Sequence, residues 1–190
     1  MIRLFVALDL PDEAAEDLGP LQRGMPGARW SSRDKLHITL RFAGEIPEAL
    51  ADDLDSALSA VVLPPFPVTL AGAGSFGDAR GVNAIWAGVE ASPALTRLRG
   101  RCESAARGAG LAPDTRSWKP HVTLAYLNDA EPGRVAAWIQ AHTLTRLAPF
   151  EARSFGLYSS RLSGEGSIYR LERSYPLRPW PRDPSAPPAG

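Results

Sequence analysis

The chain has 190 residues, 44% of them hydrophobic, and its 21 Lys and Arg balance 21 Asp and Glu for a formal net charge of zero. Such a chain can build one large domain or two fused lobes with a real core, and the neutral balance argues against broad coating of nucleic acid, which needs an extended basic surface. No apolar run approaches the roughly 18 residues of a membrane span, the N-terminus turns acidic where a secretory leader is apolar, and a single cysteine, Cys102, excludes an internal disulfide; a soluble, cytoplasmic monomer is expected.

In chain order, "IRLFVALDL" (Ile2–Leu10) reads as a strand, β-branched and aromatic. Pro11 then opens a helix whose stripe is Ala14, Leu18, Leu21 and Met25. "KLHITLRF" alternates as a strand, and "EIPEALADDLDSALSAV" is a helix burying Leu50, Leu54, Leu58 and Val61. "FPVTLAGAGSF" and "VNAIWAGVE" are strands about a Gly-rich turn. "SPALTRLRGRCESAARGAG" is a helix with Leu95, Leu98, Cys102 and Ala105 or Ala106 inward, which makes Cys102 a small buried hydrophobe. "KPHVTLAYL" is a strand, "EPGRVAAWIQAH" a helix, and "FEARSFGLYSSRL" with "GSIYRLERSYPL" a closing hairpin. Six of the last fifteen residues are proline, so 176–190 is expected to be a flexible tail. The order predicts an α+β fold made by internal duplication: halves of about 1–76 and 77–175, each contributing a mainly antiparallel sheet to a central cleft, with helices outside.

Two of the three histidines lie in near-identical hexamers, Lys35–Leu40 (KLHITL) and Lys119–Leu124 (KPHVTL). Alternation along a strand puts Lys35, His37, Thr39 and Arg41 on one face and Leu36, Ile38, Leu40 and Phe42 on the other. In the second copy His121 and Thr123 share a face, with Val122 and Leu124 inward. Two imidazoles and two hydroxyls across a groove suit in-line attack at a phosphodiester. One neutral imidazole takes a proton from the attacking oxygen and one protonated imidazole gives a proton to the departing oxygen. The hydroxyls of Thr39 and Thr123 hold nonbridging oxygens. A zinc site would need three or four ligands, and neither hexamer supplies an i,i+4 pair or a cysteine. His142 ends a helix and is assigned no part.

The paired H-x-T-L strands, together with "RLFVALDLP", "KLHITLRFAG", "KPHVTLAY" and "LYSSRLSGEGSIYRLERSYPL", resemble the 2H phosphoesterase superfamily, in particular its RNA 2′,3′-cyclic phosphodiesterase branch, the LigT-type 2′-5′ RNA ligases. The resemblance implies a bilobal fold, His37 as proton donor to the leaving oxygen, His121 as the base that activates water, and Thr39 and Thr123 as phosphate-binding hydroxyls. It implies no metal or organic cofactor. The implied activity is hydrolysis of terminal RNA 2′,3′-cyclic phosphate, with reversible 2′-5′ ligation, and the implied partners are RNA ends, tRNA fragments among them. Action on 2′-5′ oligonucleotides or small cyclic nucleotides, and a non-catalytic RNA-end binding module, are the alternatives. Many members carry arginine where this chain has Tyr126. Arg41, Lys119 and Arg161 are the candidates to replace it, Arg41 first because alternation puts it on the His37 face. Phe5, Trp30 and Tyr158 are the aromatics considered for base stacking.

Overall fold

The computed structural model describes residues 1–78, 81–163 and 166–179. The turn after "GAGSF", the tip of the last hairpin and the tail from 180 onward lie outside the described residues. β1 (Ile2–Asp9) leads into α1 (Asp12–Asp17), a 3-10 turn (Gly19–Leu21) and the two-residue β2 (Arg29–Trp30). A second 3-10 turn (Arg33–Lys35) precedes β3 (His37–Ile46) and α2 (Glu48–Ser59). Then come β4 (Phe66–Val68), β5 (Leu70–Asp78), β6 (Gly81–Val89) and α3 (Pro93–Gly108). β7 (His121–Tyr126), α4 (Pro132–His142), β8 (Phe150–Ala152), β9 (Ser154–Ser163) and β10 (Gly166–Pro176) complete the fold.

Proline punctuates the helices as expected. Pro11 and Pro47 stand just before α1 and α2, whereas Pro93 and Pro132 are the first residues of α3 and α4. Ser92 caps α3 by accepting a hydrogen bond from the Leu95 N–H at 3.1 Å. The first helix is shorter than its apolar stripe. Pro20 has no N–H to donate, so α1 stops at Asp17 and the chain continues as a 3-10 turn. Ala14, Leu18, Leu21 and Met25 are buried all the same.

The strands follow the antiparallel order β10-β9-β1-β3-β7-β6-β5, with β2 added to β7, while β4 and β8 form a separate ribbon. β3 and β7 are paired at one position, Ile38 with Val122. That pair is the seam between two half-sheets, β10-β9-β1-β3 and β7-β6-β5. The half-sheets do not coincide with consecutive stretches of chain. β5 pairs with β6 across the proposed midpoint, and β9 returns to pair with β1, so the first half lends β5 to the second and the second lends its β9–β10 hairpin to the first. Leu4, Val6, Leu8, Ile38, Leu40, Val122 and Leu124 are buried from the sheet side, and Leu54, Leu58, Leu95, Leu98, Cys102 and Ala106 from the helices. Burial pushes the Cys102 thiol up to about 12, so it is a core group and not a reactive one. No helix among the described residues is long and apolar enough to cross a membrane.

Candidate active site

The seam positions the histidines. Continuing the antiparallel register one residue either way from Ile38 and Val122 sets His37 across from Thr123 and Thr39 across from His121. Two cavities with no lining residue in common, here termed arms, follow that pattern. One arm, about 340 Å³, is lined by His37 and Thr123 with Arg29, Lys35, Tyr126 and Tyr169. The other, about 310 Å³, is lined by Thr39 and His121 with Phe76, Arg116, Trp118 and Lys119.

The two imidazoles are held alike. His37 Nδ1–H donates to the Lys35 carbonyl oxygen at 2.8 Å, and His121 Nδ1–H donates to the Lys119 carbonyl oxygen at 2.7 Å. A carbonyl can only accept, so each Nδ1 carries hydrogen and each Nε2 is the atom left for chemistry. Aromatic rings fix the ring planes. Phe5 and Tyr169 lie 4.9 and 5.4 Å from His37, and Phe76 and Trp86 lie 4.7 and 6.0 Å from His121, centroid to centroid. Trp86 rests over β5 at Gly74, where a Cβ would come within 2.2 Å of the indole.

Burial lowers the affinity of both histidines for a proton, and in each the hydrogen bond to backbone works against it. The nearby charges differ. Asp9, across from His37 in the register and holding the Tyr158 hydroxyl, favours the protonated form of His37. Lys119 disfavours the protonated form of His121.

Both motifs end in a bulge. Ala7 pairs with Thr39 and Val6 with Arg41, so Leu40 is an extra residue on β3; Trp86 pairs with Thr123 and Ile85 with Ala125, so Leu124 is an extra residue on β7. Beyond each leucine the alternation inverts, which corrects the expectation for Arg41 and Phe42. Arg41 turns away from His37 and is 6% exposed. Its Nε lies 2.6 Å from Glu103 Oε2, a charge contact bent away from hydrogen-bond alignment. Its Nη atoms donate to the Phe42 and Ala112 carbonyl oxygens at 2.5 and 2.6 Å. Arg41 thus ties α3 and Ala112 to β3, with its Nε and Nη atoms engaged by Glu103, Phe42 and Ala112, while it also lines the arm that holds Thr39 and His121. Phe42, expected in the core, faces the cleft side beneath Arg3, whose Cζ is 5.0 Å from its ring. In the second motif the same inversion brings Tyr126 to the cleft.

Arg161 pairs with Ile168 on the outer side of the β9–β10 hairpin, away from the histidines. Lys119 stays beside His121, its Nζ 4.4 Å from the Trp86 ring centroid. Phe5 is buried beneath His37, Tyr158 is bonded to Asp9, and Trp30 lines the His37 arm. His142 packs on Trp138 at 4.7 Å, outside the cleft. The sequence reading passed over Asp9, Arg29, Phe76, Trp86, Trp118 and Tyr169. For Trp86 there was a signal: "NAIWAGVE" matches "IRLFVALD" in pattern, with Trp86 in the place of Phe5. No cluster of three or more His, Cys, Asp or Glu that could hold a metal ion occurs among the described residues.

The fold and the paired H-x-T strands define a bilobal α+β protein whose two imidazoles stand on strands that meet at one residue pair. Residues 10–163 match the family model of the 2′-5′ RNA ligase superfamily, and the chain belongs to that superfamily, the 2H phosphoesterases. An RNA 2′,3′-cyclic phosphodiesterase of Archaeoglobus fulgidus is 30% identical over 172 residues, covering 89% of this chain and 97% of that protein. One from Escherichia coli K12 is 33% identical over 136 residues, covering 67% and 72%. The crystal structure of E. coli LigT complexed with 3′-AMP superposes with a TM-score of 0.74 at 28% identity, covering 93% of this chain and 98% of that one.

Proposed function

We propose that the chain hydrolyses terminal RNA 2′,3′-cyclic phosphates to 2′-phosphomonoesters. The observation that carries this reading is the matched pair of Nδ1–H···O=C bonds, which leaves two Nε2 atoms free on strands that meet at one residue pair. Neutral His121 takes the proton of a water whose oxygen attacks phosphorus. The bond from phosphorus to O3′ breaks opposite the attack, and protonated His37 gives its Nε2 proton to O3′. The product carries a 3′-hydroxyl and a 2′-phosphate. Thr39 and Thr123 hydrogen-bond the nonbridging oxygens, where charge builds up. The direction is supported by the charges beside the histidines: a carboxylate near His37 favours the acid, and an ammonium near His121 favours the base. The names of the relatives agree with this activity.

Digestion of a dinucleotide 2′,3′-cyclic phosphate and separation of the 2′- and 3′-monophosphates test it. A 2′-phosphate is expected; a 3′-phosphate means that the histidines exchange roles, and no turnover ends the proposal. The second arm favours one further reading. With Lys119 in the arm that holds His121, a ribose 5′-hydroxyl can replace water: its oxygen bonds to phosphorus, the bond to O3′ breaks, His37 protonates O3′, and the RNA ends are joined through a 2′-5′ bond. Incubating fragments that end in a 2′,3′-cyclic phosphate with acceptor RNA bearing a 5′-hydroxyl tests for that product.

A further inference from the structure

We propose that Arg29 binds the phosphodiester that links the terminal cyclic nucleotide to the rest of the RNA, and so selects RNA ends over free cyclic mononucleotides. The proposal rests on the reading above, in which His37 protonates O3′ and the terminal ribose occupies the His37 arm. The RNA then leaves that ribose through its 5′ oxygen, and the next anion along the chain is this phosphodiester.

Arg29 stands where such an anion needs a partner. It lies opposite Tyr126 in the pairing of β2 with β7, and its guanidinium carbon is 5.4 Å from the Tyr126 ring centroid. Both residues line the arm that holds His37 and Thr123, and among the described residues lining it there is no carboxylate. A guanidinium stacked on an aromatic face keeps its in-plane N–H groups for a phosphate. Tyr126 is 45% exposed, so its ring is open to the arm it lines. Tyr169, on the opposite half-sheet, lines the same arm, and its hydroxyl is pushed up to about 12, first by burial and then by the Tyr126 beside it.

The segment is anchored although β2 has two residues. The Ser31 N–H donates to the Leu124 carbonyl oxygen at 2.8 Å, and Gln22 Nε2 donates to the carbonyl oxygens of Ser31 and Leu124 at 2.7 and 3.3 Å. Arg29 is therefore carried by the strand that carries His121 and Thr123.

The test is equilibrium binding of two probes to the full chain: a dinucleotide ending in a 2′-phosphate and a nucleoside 2′-monophosphate. The wild type is expected to prefer the dinucleotide by about tenfold or more, the scale of one charged hydrogen bond. Arg29→Ala should lose most of that preference and Arg29→Lys should keep part of it. The slope of log Kd against log salt for the dinucleotide should fall by about 0.7 in Arg29→Ala, one phosphate contact on a single strand. A wild type without preference, an Arg29→Ala protein that keeps it, or equal weakening of both probes overturns the proposal. Turnover is read separately. Arg29-dependent selectivity without hydrolysis would sink the proposed function alone, whereas hydrolysis with selectivity untouched by Arg29→Ala would sink this inference alone.

Discussion

Trp118 donates its indole Nε1–H to the Thr39 carbonyl oxygen at 3.0 Å and so fastens the segment entering His121 to the strand that carries His37. Together with the pair Ile38–Val122 and the Arg41 bond to the Ala112 carbonyl oxygen, this bond holds the two motifs in place against each other. Trp118→Phe keeps most of the packing and removes the bond. It should cost about 1 kcal/mol of stability, the net value of one neutral hydrogen bond. The loss in kcat/KM should be larger, about tenfold or more, because misplacing reacting groups by a fraction of an ångström is expensive. Melting curves and steady-state kinetics on one preparation check this; parallel small losses would show that the bond serves the fold alone.

His37→Ala and His121→Ala should each lower kcat by about 10² or more, the value of one proton transfer. Neither ring is part of the helix-packed core, so both proteins should fold. Thr39→Ala and Thr123→Ala should be milder, about 1.5–3 kcal/mol in transition-state binding for a hydrogen bond to a charged oxygen. Circular dichroism beside single-turnover rates separates chemistry from misfolding, and a fully active, folded histidine variant would end the mechanism.

Both histidines have pKa values lowered by burial, so the bell of kcat/KM against pH, which reports the free enzyme, should centre on the acid side of about 6.5. Bound phosphate is an anion and favours both protonated forms, so the kcat profile should lie at higher pH. Asp9→Asn removes the carboxylate that favours protonated His37. The proton is then lost at lower pH, and the basic limb should shift to the acid side while the acidic limb stays. Stability follows the same sign. Below about 6.5 the unfolded chain takes up protons before the folded one, so this contribution is complete above that pH and is lost toward acid. pH–rate profiles of wild type and Asp9→Asn check the shift; an immobile basic limb would deny His37 the acid role.

Arg41→Met removes the cation beside the Glu103 carboxylate, which is 13% exposed and keeps the Asp114 N–H as a donor at 3.1 Å. Breaking a buried pair from one side costs about 3–5 kcal/mol, whereas replacing both partners by apolar groups is often neutral. Arg41→Met should therefore melt far below the wild type, and Arg41→Met with Glu103→Leu should recover most of the loss with little change in KM. A stable double variant with a strongly raised KM would return Arg41 to the phosphate.

The strands, the two H-x-T pairs and the residues buried by α2 and α3 were legible because each is a local periodicity: two for a pleated strand, near 3.6 for a helix. The face of Arg41 departs from simple alternation. Alternation assigns faces only while every residue is paired, and one unpaired leucine inverts all that follow. Nothing in "HITLRF" marks Leu40 as unpaired, since what decides is the fit of β3 against β1. The length of α1 could have been read from Gly19-Pro20, which interrupts the stripe. Asp9, Tyr169 and Arg29 reach the cleft through strand pairings between distant parts of the chain, and no spacing in the sequence encodes those.

The exchange of final strands sets a limit on how this chain can be divided. A fragment 1–78 would keep β1 against β3 but leave β5 without β6, and a fragment from 81 onward would keep β6 against β7 and β9 against β10 with no β1 between the two ribbons. Neither could close a sheet alone, and each would present open edges. A half-length polypeptide with one H-x-T strand would be completed only by a second copy donating its last strand. It would then bring one histidine from each copy to the same seam, and the smallest unit able to make this cleft would be an intertwined dimer.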